Sequence, residues 1–568
     1  MTRILCILLL MSFSAHARTT SWNISRQWNE TEENLYSEFV YKIGKAIRSG
    51  QCRTADDCLR SYVANPMFAS KNPYGLKKIF SDCADLPYIL RAYFAFMREL
   101  PFVLPKQVKR YSPEIDAKRE EVRWLKVEFD SYSFWKRPWS VRRAYRTARK
   151  ELKALVKKAG KDIRYTRTGN QIVKLTKIKN GDSINEVLKL VNYNVSTAVF
   201  RVNAGLFDQG DVFKDTYPVK IQKESIRPGT ILYDPAGHIA VVADVTRTGK
   251  VYLIDAHPDN SISYISYGEK FSRSSVKIGA GFLKFRPYRH SYGRYYPTAN
   301  KNLPDFSLEQ YYGSDLNRYL SSWRRAKFNV NGQNLPFVKY VRTKLAASNY
   351  VVDPVQETRS MFQDLCRDFK ERVIAVNDAL KAGMDKKDHP KKLPDNIYGT
   401  EGEWETYSTP SRDARLKASV KELYETIQGF LGVGGQTTYL RMNYRGSNLK
   451  VDLFRVYLEE SRRCTFYPKN SLGYSRGMTM DEGLKKLFDF SFDPYMCAEL
   501  RWGYAGDDLR TCDQSRNKWK WHRALRPLRN QIQRNYSAFM GYKRRQLDDS
   551  GLGVEETPNF DIDQLLRY

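Results

Sequence analysis

The stretch "TILYDPAGHIAVVADVTRTGKVYLIDAHPDN", residues 230–260, decides how this chain is read. It holds two β-rich runs joined by the polar loop TRTGK, which predicts a hairpin. The first run opens on His238. The second carries Asp255 and His257 two residues apart, hence on one face of the strand. With the tightest two-residue turn at Thr248-Gly249, Val242 pairs with Asp255 and Ala240 with His257, and both then share the face of His238. A longer loop or a bulge shifts that register. Two of the six histidines in the chain thus fall on one hairpin beside an acid.

A base and an acid ask for a nucleophile, and "SDCADLPYILRAYF", residues 81–94, offers one. Cys83 opens an apolar run with helical spacing: Leu86, Ile89, Leu90, Tyr93, Phe94 and Met97 share one broad face. Pro87 is tolerated because it falls in the first turn. Of eight cysteines, Cys6 lies in the N-terminal leader and seven remain, an odd number. Cys52 and Cys58 flank RTADD and can close on each other, and the four later cysteines can form two more bridges. That scheme leaves Cys83 over.

The chemistry then assigns itself. A thiol at a helix N-terminus feels the positive dipole end, which predicts a lowered pKa. His238 pairs with the thiolate and later protonates the leaving amine. Asp255 or His257 fixes the imidazole tautomer. The Cys83 backbone N–H faces the oxyanion, a contact whose loss typically costs about 3–4 kcal/mol. The bland alternative is a strand histidine and a helix-start cysteine that merely pack. Their coincidence with an acid and an odd thiol favours a site.

The leader MTRILCILLLMSFSAHA has a basic residue, an apolar run and an Ala-x-Ala pattern, so it is expected to be a secretory signal (residues 1–17) cleaved near Ala17. No later run approaches the roughly 20 apolar residues of a membrane span. The expectation is a periplasmic or secreted protein with disulfides. Its net charge of +32 suits an anionic partner, peptidoglycan or another envelope polymer, and export argues against nucleic acid. With no HExxH or paired CxxC motif, neither metal nor cofactor is expected.

Along the chain, residues 18–104 read as N-terminal helices ending in the nucleophile helix, with a start near Thr31 for the first. Residues 105–214 read as a basic, mostly helical insertion, patterned from Val141 to Ala159. Its "WKRPWSVRRAYRTARKELKALVKKAGKDIR" reads either as a solvated face or as a wall or membrane contact. Residues 215–300 read as β-rich, and 301–568 as a mainly helical, basic C-terminal domain without a chemical motif. The fold class is α+β.

"DCADL" at a helix start, followed by "RPGTILYDPAGHIAVVADV…GKVYLIDAH", resembles the NlpC-type and CHAP-type papain-like cysteine peptidases and amidases. The resemblance implies a papain-like core, a nucleophile helix packed on an antiparallel sheet, and a hydrolase of cell-wall peptide. It implies Cys83 and His238 as catalytic residues, Asp255 as the third, and His257 as helper or substitute. It also places Tyr74, in "NPYG", and Asp82 beside the oxyanion or substrate. The chain departs from the pattern in two ways: 155 positions separate Cys83 from His238, and Thr230 stands where an acid is usual. The resemblance covers residues 70–105 and 215–290. The competing readings are a transglutaminase-like enzyme of the same superfamily and a non-catalytic envelope-binding scaffold.

Overall fold

The computed structural model describes residues 19–159, 162–208, 214–347, 351–399, 402–433, 441–534, 540–547 and 551–567. The expected signal segment, residues 1–17, lies outside them. The described chain is α+β with antiparallel sheets, and no helix among these residues is long and apolar enough to cross a membrane.

Helix α1 (Glu30–Arg48) is capped two residues earlier than the Thr31 signal suggests. Asn29 is its cap, accepting from the Glu32 N–H, and Glu30, Glu32 and Glu33 load the first turn. A short α2 (Ala55–Arg60) follows, and its Cys58 is tied by a disulfide to Cys52 just before it. Helix α3 (Asp85–Arg98) is buried on nearly every side, which is why its apolar face is so broad. Strands β1 (Val103–Arg110) and β2 (Asn170–Lys177) pair with each other, and the antiparallel helices α4 (Pro113–Ser131) and α5 (Trp139–Lys158) extend between them. Helix α6 (Ile184–Asn194) returns to the core through Ile184, Val187, Leu188 and Val191. Within the 105–214 stretch, Ile172, Ile184, Val187, Leu188 and Val191 thus belong to the first core, whereas α4 and α5 bury only Ile115, Val141 and Ala148. The one-turn helix α7 (Thr197–Phe200) closes this part.

Six strands form the main sheet: β3 (Thr216–Pro218), β4 (Ile231–Asp234), β5 (His238–Val245), β6 (Val251–Ala256), β7 (Ile262–Ser266) and β8 (Gly281–Phe285). Their spatial order is β3-β8-β4-β5-β6-β7, with every neighbour antiparallel. Both faces are covered. Ile239, Val241 and Ile254 pack with α1 and α3, while Ala240, Val242 and Leu253 pack with Tyr340, Val341 and Leu345. Full burial of such side chains stabilises by about 1.5–3 kcal/mol each, which gives the sheet its anchorage from both sides. Gly44 lets α1 lie directly on β5, since a Cβ there would come within 2.6 Å of the Ala243 Cβ.

The helices that follow include α8 (Glu309–Tyr312), α9 (Phe337–Leu345), α10 (Pro354–Lys381), α11 (Glu403–Tyr407), α12 (Pro410–Leu431) and α13 (Leu449–Arg463), with shorter ones toward the C-terminus. Phe362, Leu365 and Phe369 of α10, Val420 and Leu423 of α12, and Leu453 and Val456 of α13 make a separate core. The Cys366–Cys464 disulfide ties α10 to the end of α13, and Cys497–Cys512 closes a later loop. This half docks on the sheet through charges. Glu357 binds both Arg342 and Lys250, and Lys270 binds Asp368 at 3.0 Å.

Candidate active site

The β4–β5 connection sets His238. Its loop is Pro235-Ala236-Gly237, Asp234 pairs with His238 across it, and Gly237 has φ 85°. A three-residue loop closed by a left-handed glycine is a common way to turn a hairpin, so the DPAG of the sequence is a turn that delivers the histidine.

Asp255 reaches His238 by a register the sequence did not reveal. Strands β5 and β6 are joined by a five-residue loop with Val245 opposite Val251, and the pairing shifts between Val242 and Asp244. Inside that bulge Val241 faces Ile254, and the same register continued sets Asp255 against Ala240, not Val242. The acid thus moves one pair nearer His238. His238 Nε2 lies 2.6 Å from Asp255 Oδ2. His257 Nε2 lies 3.8 Å from Asp255 Oδ1 but 2.6 Å from Ser263 Oγ, and the two imidazoles are nearly parallel with centroids 6.4 Å apart. With Nε2 committed to Asp255, the free nitrogen of His238 is Nδ1.

Cys83 stands at the end of α3, where Asp82 works as the cap. Its Oδ1 accepts from the Ala84 and Asp85 N–H groups, and its carbonyl accepts from Leu86. The cap leaves the Cys83 N–H out of these bonds. Cys83 is the free cysteine among the described residues, and the backbone amide of Ile239, one residue beyond His238, acts on its sulfur in favour of the thiolate. Cys83, His238 and His257 line one cleft of about 150 Å³, with Asp82 at its wall.

The electrostatics depart from expectation. Burial pushes the Cys83 thiol well up, and the neighbouring Asp82 adds to this, against the lowering effect of the Ile239 N–H. The expected lowering by the helix terminus is therefore overturned, because desolvation and a nearby carboxylate outweigh a dipole end. Burial also lowers His238, as does Arg415, against the hydrogen bond to Asp255. Burial alone would raise Asp255, but His257, His238 and Arg415 hold it well below the usual carboxylate range. Burial and Arg412 bring His257 down to about 3. At neutral pH the site holds a thiol, a neutral imidazole and a carboxylate.

Several cleft residues carried no signal in the sequence. Arg412 and Arg415 of α12, Tyr398 and Gly399 before it, and Arg164 and Tyr165 beyond the α4–α5 hairpin all line it. An arginine among 95 Lys and Arg announces nothing by itself. The structure does not bring Tyr74 there: its side chain is 88 % exposed in the Pro73–Leu76 turn.

A larger cavity of about 340 Å³ lies between β6, β7, α9, α10 and α12 and contains none of the expected site residues. Among the described residues the one cluster with metal-ligand spacing is Cys497, Glu499 and Cys512, and a disulfide occupies its two sulfurs. Comparison with protein-family models, with curated proteins and with solved structures finds no match.

Proposed function

We propose that the protein is an exported, papain-like cysteine hydrolase that cuts amide bonds, with peptidoglycan peptides as substrate. The observation that carries this reading is that Cys83 and His238 line one cleft, with the His238 Nε2 held 2.6 Å from Asp255 Oδ2. Because the resting pair is neutral, the proton moves as the sulfur attacks. His238 Nδ1 takes the thiol proton while Sγ bonds to the amide carbon and the carbonyl electrons move onto oxygen, beside the Cys83 N–H. Collapse breaks the C–N bond, and the amine leaves with the proton from Nδ1. Water, deprotonated by the same nitrogen, then cleaves the thioester. Asp255 holds the ring in the tautomer that both steps need.

The basic surface suits an anionic wall, and the three disulfides suit an oxidising compartment. The neutral thiol–imidazole pair favours a second reading, an envelope-binding scaffold with an unused site. Incubating wild type and Cys83→Ala with isolated peptidoglycan and weighing the released fragments separates the two. Fragments from wild type alone support the hydrolase, and their masses name the bond. Silence from both proteins supports the scaffold.

A further inference from the structure

Arg412 and Arg415 stand one turn apart at the start of α12, and both line the cleft of Cys83 and His238. Arg415 is 7 % exposed, and its Nη1 has no hydrogen-bond partner among the described residues. Its Nη2 approaches Asp255 Oδ2 only to 3.8 Å, outside hydrogen-bond range. Other charges in the cleft are already engaged. Arg164 pairs with Asp162 at 2.8 Å and with Glu405 at 3.8 Å, and the Asp82 Oδ1 caps α3. A buried guanidinium with an unmade bond is costly, and the positive end of a 22-residue helix beside it deepens the demand for an anion.

We propose that Arg415 and Arg412 form a carboxylate-binding subsite next to the nucleophile, so that the substrate carries a carboxylate beside the amide that is cut. The planar fork of each arginine matches a carboxylate better than it matches a neutral amide. The proposal rests on Cys83 being the reacting thiol. The carboxylate is either the free terminus of a peptide or a side-chain acid.

Alkylation of Cys83 tests the subsite without any substrate. Iodoacetate and iodoacetamide both need the thiolate, so the ratio of their rates cancels its ionised fraction and reports the anion preference of the site. Mass spectrometry of the Cys83 peptide would follow both rates, with glutathione as reference. The expected ratio exceeds that of glutathione by about tenfold and falls back in Arg412→Gln and in Arg415→Gln, with circular dichroism checking the fold. N-acetylalanine and N-acetylglutamic acid α-amide, tried as protectants, distinguish a terminal from a side-chain carboxylate. A ratio equal to that of glutathione, or protection by neither compound, overturns the subsite. Failure of the hydrolase reading would show separately, as intact peptidoglycan alongside a high ratio.

A second observation stands apart from the cleft. At the turn of the α4–α5 hairpin, Trp135 is 90 % exposed, Trp139 70 % and Phe134 64 %, and α5 carries eight Lys or Arg against one acid, Glu151. Exposed indoles flanked by cations suit the interface of an anionic bilayer, where ring and charge are both satisfied. We infer that this tip rests on an anionic lipid surface. Sedimentation with phosphatidylglycerol–phosphatidylcholine vesicles at 0.15 M salt, with tryptophan emission shifting to the blue, is the expected result. The triple variant Phe134→Ser, Trp135→Ser, Trp139→Ser should lose at least tenfold in binding. Wild type that ignores these vesicles, or a triple variant that binds as well as wild type, overturns the inference.

Discussion

Asp255 divides its two oxygens unequally between histidines: Oδ2 lies 2.6 Å from His238 and Oδ1 3.8 Å from His257. Only the first is a hydrogen bond, so Asp255 is the carboxylate that holds His238, and under the proposed hydrolase reading it is the residue that orients the base. Asp255→Asn is expected to lower the turnover of released wall fragments by about 10³–10⁴ through the wrong tautomer. His257→Gln, which disturbs the bond to Ser263, should cost less than about tenfold. The reverse order of effects would make His257 the third residue.

The pH behaviour of Cys83 follows from its surroundings. Its thiol is raised by burial and by Asp82, so iodoacetamide labelling should rise only above the ordinary thiol value of about 8.5. Removing an anion favours the thiolate. Asp82→Asn, which keeps a capping side chain, should therefore move the labelling midpoint to lower pH. A midpoint that stays in place would show that Asp82 does not act on the sulfur.

The seam between the two halves depends on Glu357. Its carboxylate accepts from both Arg342 terminal nitrogens at 2.8 Å and from Lys250 at 3.1 Å, and these partners overcome burial to hold it down to about 2 from an ordinary 4.5. A depressed carboxylate stabilises the folded state above its unfolded pKa and loses that contribution as pH falls through its folded one. Resistance to thermal unfolding should thus fall as pH drops from 4.5 to 2. Glu357→Gln, which takes the carboxylate away from two half-buried cations that keep their bonds to Ser360 and Thr248, should lose about 1–3 kcal/mol at pH 7 and show a flatter acid response in calorimetry.

The Cys366–Cys464 bridge spans a sequence separation of 98 residues. Such long loops gain most from closure, so a Cys366→Ala, Cys464→Ala variant should lose about 2–5 kcal/mol. Unequal losses in the two cores, followed by hydrogen exchange, would show whether the halves unfold independently.

Much of the site was legible because its parts are local. The odd thiol count singled out Cys83, and the three disulfides of the structure leave that same cysteine free. Strand alternation put Asp255 and His257 on one face, and the polar TRTGK announced the loop between the two strands of the hairpin. The α5 pattern was visible from Val141 onward, whereas α4 was hidden because only Ile115 of its 19 residues is buried and its apolar stripe is weak.

What the sequence determined by itself is the set of candidate site residues and the local elements that carry them, since turn chemistry and periodicity depend on neighbours a few residues apart. The tertiary structure alone decided three things. The bulge at Ala243 chose which pair Asp255 occupies, because a one-residue slip costs the sequence pattern nothing on strands buried on both faces. Desolvation within the folded cleft set the sign of the Cys83 shift, because desolvation is a property of what packs around a group and not of the group. And Arg415 came to lie 3.8 Å from Asp255, 160 positions earlier in the chain, because docking of the second core on the sheet brought them together.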